Sequence, residues 1–195
     1  LLQSSAASDV YKRQGEILGV DRNLAEGWLK ALAVVTTNYA SGRSEAWVDT
    51  LHQQIWSGSQ TTARRTSLTL DHVMASAALP FFFPSVKLQQ QWHGDGGIRL
   101  AAPLSPAMRL GARRILAVSP RAKPQVGGSE LPASYPSPGQ VAGVMLNAVF
   151  LDLLDFDALQ MQRVNDLLSR IPRQDWGQQR QVDVMVLRPR EDLGK

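Results

Sequence analysis

The stretch Trp92-His93-Gly94-Asp95-Gly96-Gly97-Ile98 constrains this chain more than any other. A carboxylate followed by two glycines, straight after an extended segment, describes an acidic side chain carried on a tight turn. Glycine there either supplies a positive φ or leaves room for another group to approach the backbone. An Asp-Gly-Gly triplet alone is usually no more than a turn. Its neighbours narrow the reading. The run Ala75-Ser76-Ala77-Ala78-Leu79-Pro80-Phe81-Phe82-Phe83-Pro84 ends a helix of small residues. Pro103-Leu104-Ser105-Pro106-Ala107 follows the triplet, and then Leu110-Gly111-Ala112-Arg113-Arg114-Ile115-Leu116-Ala117-Val118.

Taken in order, residues 15–30 give an amphipathic segment with Ile17, Leu18, Leu24 and Trp28 on one face. Ala31 to Thr37 turns β-branched and reads as a buried strand. Asn38 to Arg43 is a turn, and Glu45 to Val48 is the returning strand of a hairpin. A helix opens at Thr69 or Ser67 as N-cap and stops before Pro80, because the residue preceding proline disfavours the α region. In that helix Ser76 reads as a small hydrogen-bonded packing residue, since no glycine-flanked elbow exposes it as a nucleophile. Phe81, Phe82 and Phe83 offer contact with an acyl chain or a membrane, but three consecutive aromatics beside a core turn read first as core. Val86 to Leu88 and Gln91 to His93 form a hairpin around Gln89-Gln90 that delivers Asp95 at its end.

Leu104 to Leu110 forms a helix with Pro106 in its first turn and Gly111 at its C-cap. Ile115 to Ser119 is a buried strand, and Gln181 to Leu187 is the last one. Residues 121–140, rich in Pro, Gly and Ser, read as a loop. A helical pattern then runs from Val141 to Arg170 through Leu146, Phe150, Leu153, Met161, Val164 and Leu168. Alternating helices and strands predict an α/β sheet with mainly parallel strands. Residues 1–14 have no periodicity and read as a non-native, linker-like segment, which leaves residues 15–195 as part of one domain.

Composition removes several classes. The 195 residues contain no cysteine, so disulfides, thiolate metal sites and a thiol nucleophile are excluded. Asp152, Asp155 and Asp157 have no histidine beside them and read as a solvated helix face, not as a metal site. No cofactor motif is present. The formal net charge of +4 is spread along the chain, with Arg64-Arg65 and Arg113-Arg114 the short exceptions. It matches no nucleic-acid motif, though it allows weak contact with an anionic membrane surface. No apolar run approaches the roughly 20 residues needed to span a bilayer, so the chain reads as soluble or peripheral to a membrane. His93 invites a Ser-His-Asp reading with Asp95, because residues two apart on a strand share a face. No serine elbow completes it.

The ordered set A-S-x-A-x-P, F-x-P, D-G-G, P-L-x-P-A and L-G-A resembles the patatin-like phospholipase family, most specifically from Ser67 to Val118. The resemblance implies a three-layer α/β/α fold, here its truncated C-terminal part. It also implies a lipid acyl hydrolase working through a Ser-Asp dyad on phospholipids or related lipids. Asp95 maps onto the dyad carboxylate, with Gly96 and Gly97 supporting its turn. In that family the serine lies in an upstream G-x-S-x-G elbow behind a glycine-rich oxyanion loop, and neither motif occurs in these 195 residues. The chain alone is therefore expected to be inactive. The alternative is a catalytically inactive patatin-like module that binds lipid or protein. The family's Asn two residues before the proline matching Pro103 is replaced by Ala101.

Overall fold

The structure, a computed structural model, describes residues 19–52, 55–57, 61–119, 135–139, 141, 144–145, 152–177 and 179–190. The linker-like residues 1–14, most of the predicted loop 121–140, and Leu146 and Phe150 lie outside these. The chain divides into two compact units, Leu1–Leu100 and Ala101–Lys195. Both combine sheet and helix, and the fold class is α/β.

The first unit is built on a five-stranded sheet of order β3-β2-β1-β5-β4. Its strands are β1 (Ala31–Asn38), β2 (Arg43–Thr50), β3 (Thr61–Arg65), β4 (Val86–Leu88) and β5 (Gln91–Asp95). Helix α1 (Val20–Ala25) precedes them, and α2 (Leu70–Ser76) lies between β3 and β4. The expected hairpins form: β1 pairs antiparallel with β2 from Ala31↔Thr50 to Asn38↔Arg43, and β4 with β5 across Leu88↔Gln91. Gln89 and Gln90 both have positive φ, 44° and 68°, the mirror-image geometry that a two-residue hairpin requires.

The predicted predominance of parallel strands is not met. Of the five described pairings, β1 with β2, β1 with β5 and β4 with β5 are antiparallel, and two are parallel. Tight turns force the β1–β2 and β4–β5 pairings, because a short connection can only reverse a strand. Strand β3 itself went unread, since Thr61-Thr62 is a short β-branched signal cut off by two arginines. Of the predicted amphipathic segment 15–30, Ile17 and Leu18 lie outside the described residues, and helix α1 spans Val20–Ala25. It ends before Gly27, which takes φ 78°, and leaves Trp28 exposed.

Alternation along β2 places Glu45 and Trp47 on one face of the sheet and Ala46 and Val48 on the other. All four are buried. Helix α2 covers the Trp47 face. Trp47, Leu68, Ala75 and Leu88 form the core there, joined by Leu32, Val34 and Val86. Thr69 caps α2, and its amide donates to Nδ1 of His72 at 3.1 Å, so two ends of the first turn satisfy each other. Ser76 donates its hydroxyl to the Val35 carbonyl at 2.7 Å, the packing role read from the sequence.

Phe81, Phe82 and Phe83 contradict their core reading. Phe81 is fully exposed, and Phe82 and Phe83 are more than half exposed. The small residues Ala75 and Ala78 have taken the buried positions, and the turn after Pro80, with Phe81 at φ 69°, sends the three rings outward.

The second unit has α3 (Ser105–Arg109), β6 (Arg114–Val118), α4 (Asp152–Ser169) and β7 (Asp183–Leu187). Strands β6 and β7 are parallel, from Arg114↔Asp183 to Val118↔Leu187. Leu104, Ala117, Ala158, Met161 and Val182 form the core, with Leu154, Ile115 and Val184 packed against it. Helix α4 therefore buries Ala158, Met161 and Leu168 and half-buries Leu154, and Val164, predicted on that face, is exposed. Asn165 joins helix to strand: Nδ2 donates to the Val182 carbonyl at 2.8 Å, and Oδ1 accepts from the Val182 amide at 3.0 Å. Among the described residues, only one face of the β6–β7 pair is covered. Leu116, Val118, Met185 and Leu187 are exposed on the other, although Ile115 to Ser119 reads as a buried strand.

The acidic residues of α4 are not a plain solvated face. Asp157 accepts from the Leu104 amide at the start of α3, at 2.8 Å, and Asp155 pairs with Arg188. Burial pushes the Asp157 carboxyl above its usual range, and the Leu104 N–H partly offsets that.

Candidate active site

Asp95 is the last residue of β5 and sits opposite Thr36 of the central strand β1. Three backbone contacts fix it. Its amide donates to the Ala78 carbonyl just beyond α2, at 3.0 Å. Its carbonyl accepts from the Thr37 hydroxyl at 2.7 Å. Its Oδ1 accepts from the Gly97 amide at 2.7 Å, an Asx turn that starts the 3-10 segment Gly96–Ile98. Among the described residues no hydroxyl hydrogen-bonds the carboxylate, and Oδ2 is left without a partner. The side chain is half-buried. Burial raises its pKa above the ordinary value, against the smaller opposing effect of the Gly97 N–H. A raised carboxylate with one oxygen anchored and the other free is suited to accept a proton.

The two glycines act in different ways. Neither Gly96 nor Gly97 takes a positive φ. Gly96 is needed because its Cα runs against β1, where a Cβ would lie 2.3 Å from the Val35 carbonyl oxygen. Gly97 contributes its amide to Asp95. The second reason offered by the sequence, close backbone approach, is the one that applies.

His93 is directed elsewhere. Its Nδ1 lies 3.0 Å from the Thr36 hydroxyl, which accepts from Trp47 Nε1 at 2.8 Å. Trp47 also meets both His93 and His72 edge to face, with ring centroids 5.5 and 4.9 Å apart. This buried Thr36–Trp47–His72–His93 cluster was not anticipated. The available signal was the pair of polar residues, Thr36 and Asn38, on an otherwise apolar strand face. Burial holds both histidines below the ordinary imidazole pKa. For His93, Glu45 opposes that and Arg64 reinforces it; for His72, Asp71 opposes it and His93 reinforces it.

The unfolded chain binds protons near pH 6.5, whereas the folded histidines resist protonation to lower pH. Their contribution to stability is complete above about pH 6.5 and is lost as pH falls through the folded-state values. The melting temperature should therefore drop between about pH 7.5 and 5.5 in a thermal melt. A flat profile across that window contradicts the neutral, buried assignment.

Residues 37–108 match the family model for patatin-like phospholipase. That segment is patatin-like. It covers a little over a third of the chain and includes Asp95, Gly96, Gly97 and the exposed phenylalanines. The patatin-like family is one of esterase- or lipase-type hydrolases that act on lipid substrates. Neither a curated protein nor a solved structure matches the chain. Among the described residues there is no group of three side chains arranged to hold a metal ion.

Proposed function

We propose that this chain contributes the acidic half of a Ser-Asp dyad to a patatin-like lipid acyl hydrolase, with Asp95 as the proton acceptor. The observation that carries this reading is the fixed, half-buried carboxylate whose Oδ2 is unpartnered. In the proposed reaction a serine hydroxyl gives its proton to Asp95 as its oxygen attacks the ester carbonyl. Asp95 then returns the proton to the leaving alcohol, and water repeats the cycle on the acyl-enzyme. The serine and the oxyanion donors come from a G-x-S-x-G elbow and a glycine-rich loop outside these 195 residues. Each such donor is typically worth ~3 kcal/mol of transition-state stabilisation.

A fluorophosphonate probe, which forms a covalent adduct with an activated serine, tests the reading on the complete gene product. The expected adduct lies on the serine of a G-x-S-x-G sequence, and the 195-residue chain alone stays unlabelled. Labelling of Ser76 or Ser44 within this chain would overturn the assignment. A complete gene product that shows no adduct, yet binds lipid, favours the inactive lipid-binding module instead.

Lipid contact has its own candidate surface in Phe81, Phe82 and Phe83. They follow Pro80, three to five residues along the chain from Ala78, whose carbonyl holds the Asp95 amide. Exposed aromatic rings insert into the headgroup boundary, and the net positive charge favours anionic lipid. Replacing all three by serine should lower partitioning onto phosphatidylglycerol-containing vesicles by roughly tenfold or more in a sedimentation assay. Unchanged partitioning would remove these residues from the membrane contact.

A further inference from the structure

Helix α2 opens with a capping box in which His72 stands where glutamate or glutamine is the ordinary partner of Thr69. The difference matters, because an imidazole nitrogen accepts a hydrogen bond only while it is unprotonated. The geometry fixes which nitrogen that is. Thr69 offers a backbone N–H, a group that can only donate, and it reaches Nδ1 of His72 at 3.1 Å. Nδ1 is therefore an acceptor, the Thr69 hydroxyl 2.8 Å away is a second donor to it, and the neutral ring carries its proton on Nε2. The residue is buried, with its ring edge against Trp47.

The far end of α2 holds the Asp95 turn by two routes. The Ala78 carbonyl, just beyond the helix, accepts the Asp95 amide at 3.0 Å. Ser76 donates to the Val35 carbonyl at 2.7 Å, and Gly96 runs against that same carbonyl. A proton on Nδ1 would set a second donor against the Thr69 N–H and break the capping bond. It would also place a positive charge beside the first-turn amides, where charge of that sign is unfavourable. Helix α2 has 7 residues, about two turns, so what loosens its first turn is felt at its last.

The charged groups around His72 are few. Burial of the ring opposes the proton most, Asp71 beside it on α2 favours the proton, and His93 of β5 opposes it. Strand β5 also carries Asp95. On the Trp47 face of β2, Glu45 is paired with Arg64 and Asp49 accepts the Leu68 amide, while Arg43 stands at the exposed start of the strand. Strand β1 and the 3-10 segment have no titratable side chain. Lys87 of β4 lies on the face opposite Val86 and Leu88, which pack in the core.

We propose that His72 is the positioning residue of the Asp95 turn: neutral, it holds the first turn of α2 through Nδ1, and a proton there releases the end of α2 from Asp95. The link is structural. Its consequence for turnover, a loss on acidification, rests on the reading of Asp95 as proton acceptor.

Amide hydrogen exchange of the 195-residue chain, read by NMR at about pH 7.5 and about pH 5, on either side of the histidine range, tests the link. In the wild type, protection of the Asp95 amide should fall at the lower pH roughly fivefold further than protection in the β1–β2 ladder, the ratio that one lost cap represents. His72→Gln supplies the ordinary capping-box acceptor and takes up no proton, so its Asp95 amide should follow the ladder at both pH values. His72→Ala should show the extra loss at both. A wild-type Asp95 amide that follows the ladder would overturn the proposal. An extra loss in His72→Gln equal to that of the wild type would also overturn it, and would assign the effect to His93 or to the Asp95 carboxyl. Phospholipid turnover by the complete gene product, wild type against Asp95→Asn, tests the catalytic reading on its own, so either can fail without the other.

Discussion

Gly96→Ala is expected to destabilise the first unit by on the order of 3 kcal/mol or more, the upper part of the range for overpacking. A Cβ at this position would sit 2.3 Å from the Val35 oxygen, 2.6 Å from the Val35 carbon and 3.2 Å from the Thr36 nitrogen. All three are backbone atoms of β1, the central strand, which is hydrogen-bonded to β2 on one side and β5 on the other. They cannot move without breaking ladder bonds. For a unit of about 100 residues each kcal/mol lowers the melting temperature by roughly 4–8 °C, so a drop of some ten degrees or more is expected. Gly94→Ala supplies the contrast. There the added Cβ would meet the Tyr39 ring tip, with Oη at 2.0 Å, and Tyr39 is exposed enough to swing away. Gly94→Ala should cost clearly less. Equal melting temperatures for the two variants would show that Gly96 is not held by this close approach.

Much of the frame was legible because it is written in local signals. Alternating β-branched residues gave β1, the Gln89-Gln90 pair gave the β4–β5 hairpin, and Pro80 gave the end of α2. Asp95 was found through the glycines beside it. The errors share one cause, that burial is decided by partners the sequence does not name. Phe81 to Phe83 are as apolar as any core residue, yet alanines at 75 and 78 occupy the space beneath α2. Leu116 and Val118 belong to an apolar strand whose other side chains alone reach α4. The Thr36–Trp47–His72–His93 cluster joins three strands and a helix, so no spacing along the chain announces it. The same holds for Asn165, whose two bonds to Val182 bridge a helix and the residue just before a strand.

Asp95→Asn carries the second large effect, and it separates activity from stability. The amide oxygen can still accept from the Gly97 N–H, so the Asx turn is retained. The burial that raises the Asp95 pKa works against the charged form, and the neutral amide escapes it. Near pH 7 the variant should therefore melt at the wild-type temperature or above. Loss of the proton acceptor, in contrast, removes a contribution to the rate of about 10²- to 10⁴-fold. A residue placed only for the turn would show the stability half alone. Active-site carboxylates held at a cost to stability show both.

The most direct measurement is phospholipid ester hydrolysis by the complete gene product, wild type and Asp95→Asn side by side, with a thermal melt of each. Turnover should fall by about two to four orders of magnitude at an undiminished melting temperature. Near-wild-type turnover in a folded Asp95→Asn protein would contradict it, and Asp95 would then be a turn residue and nothing more.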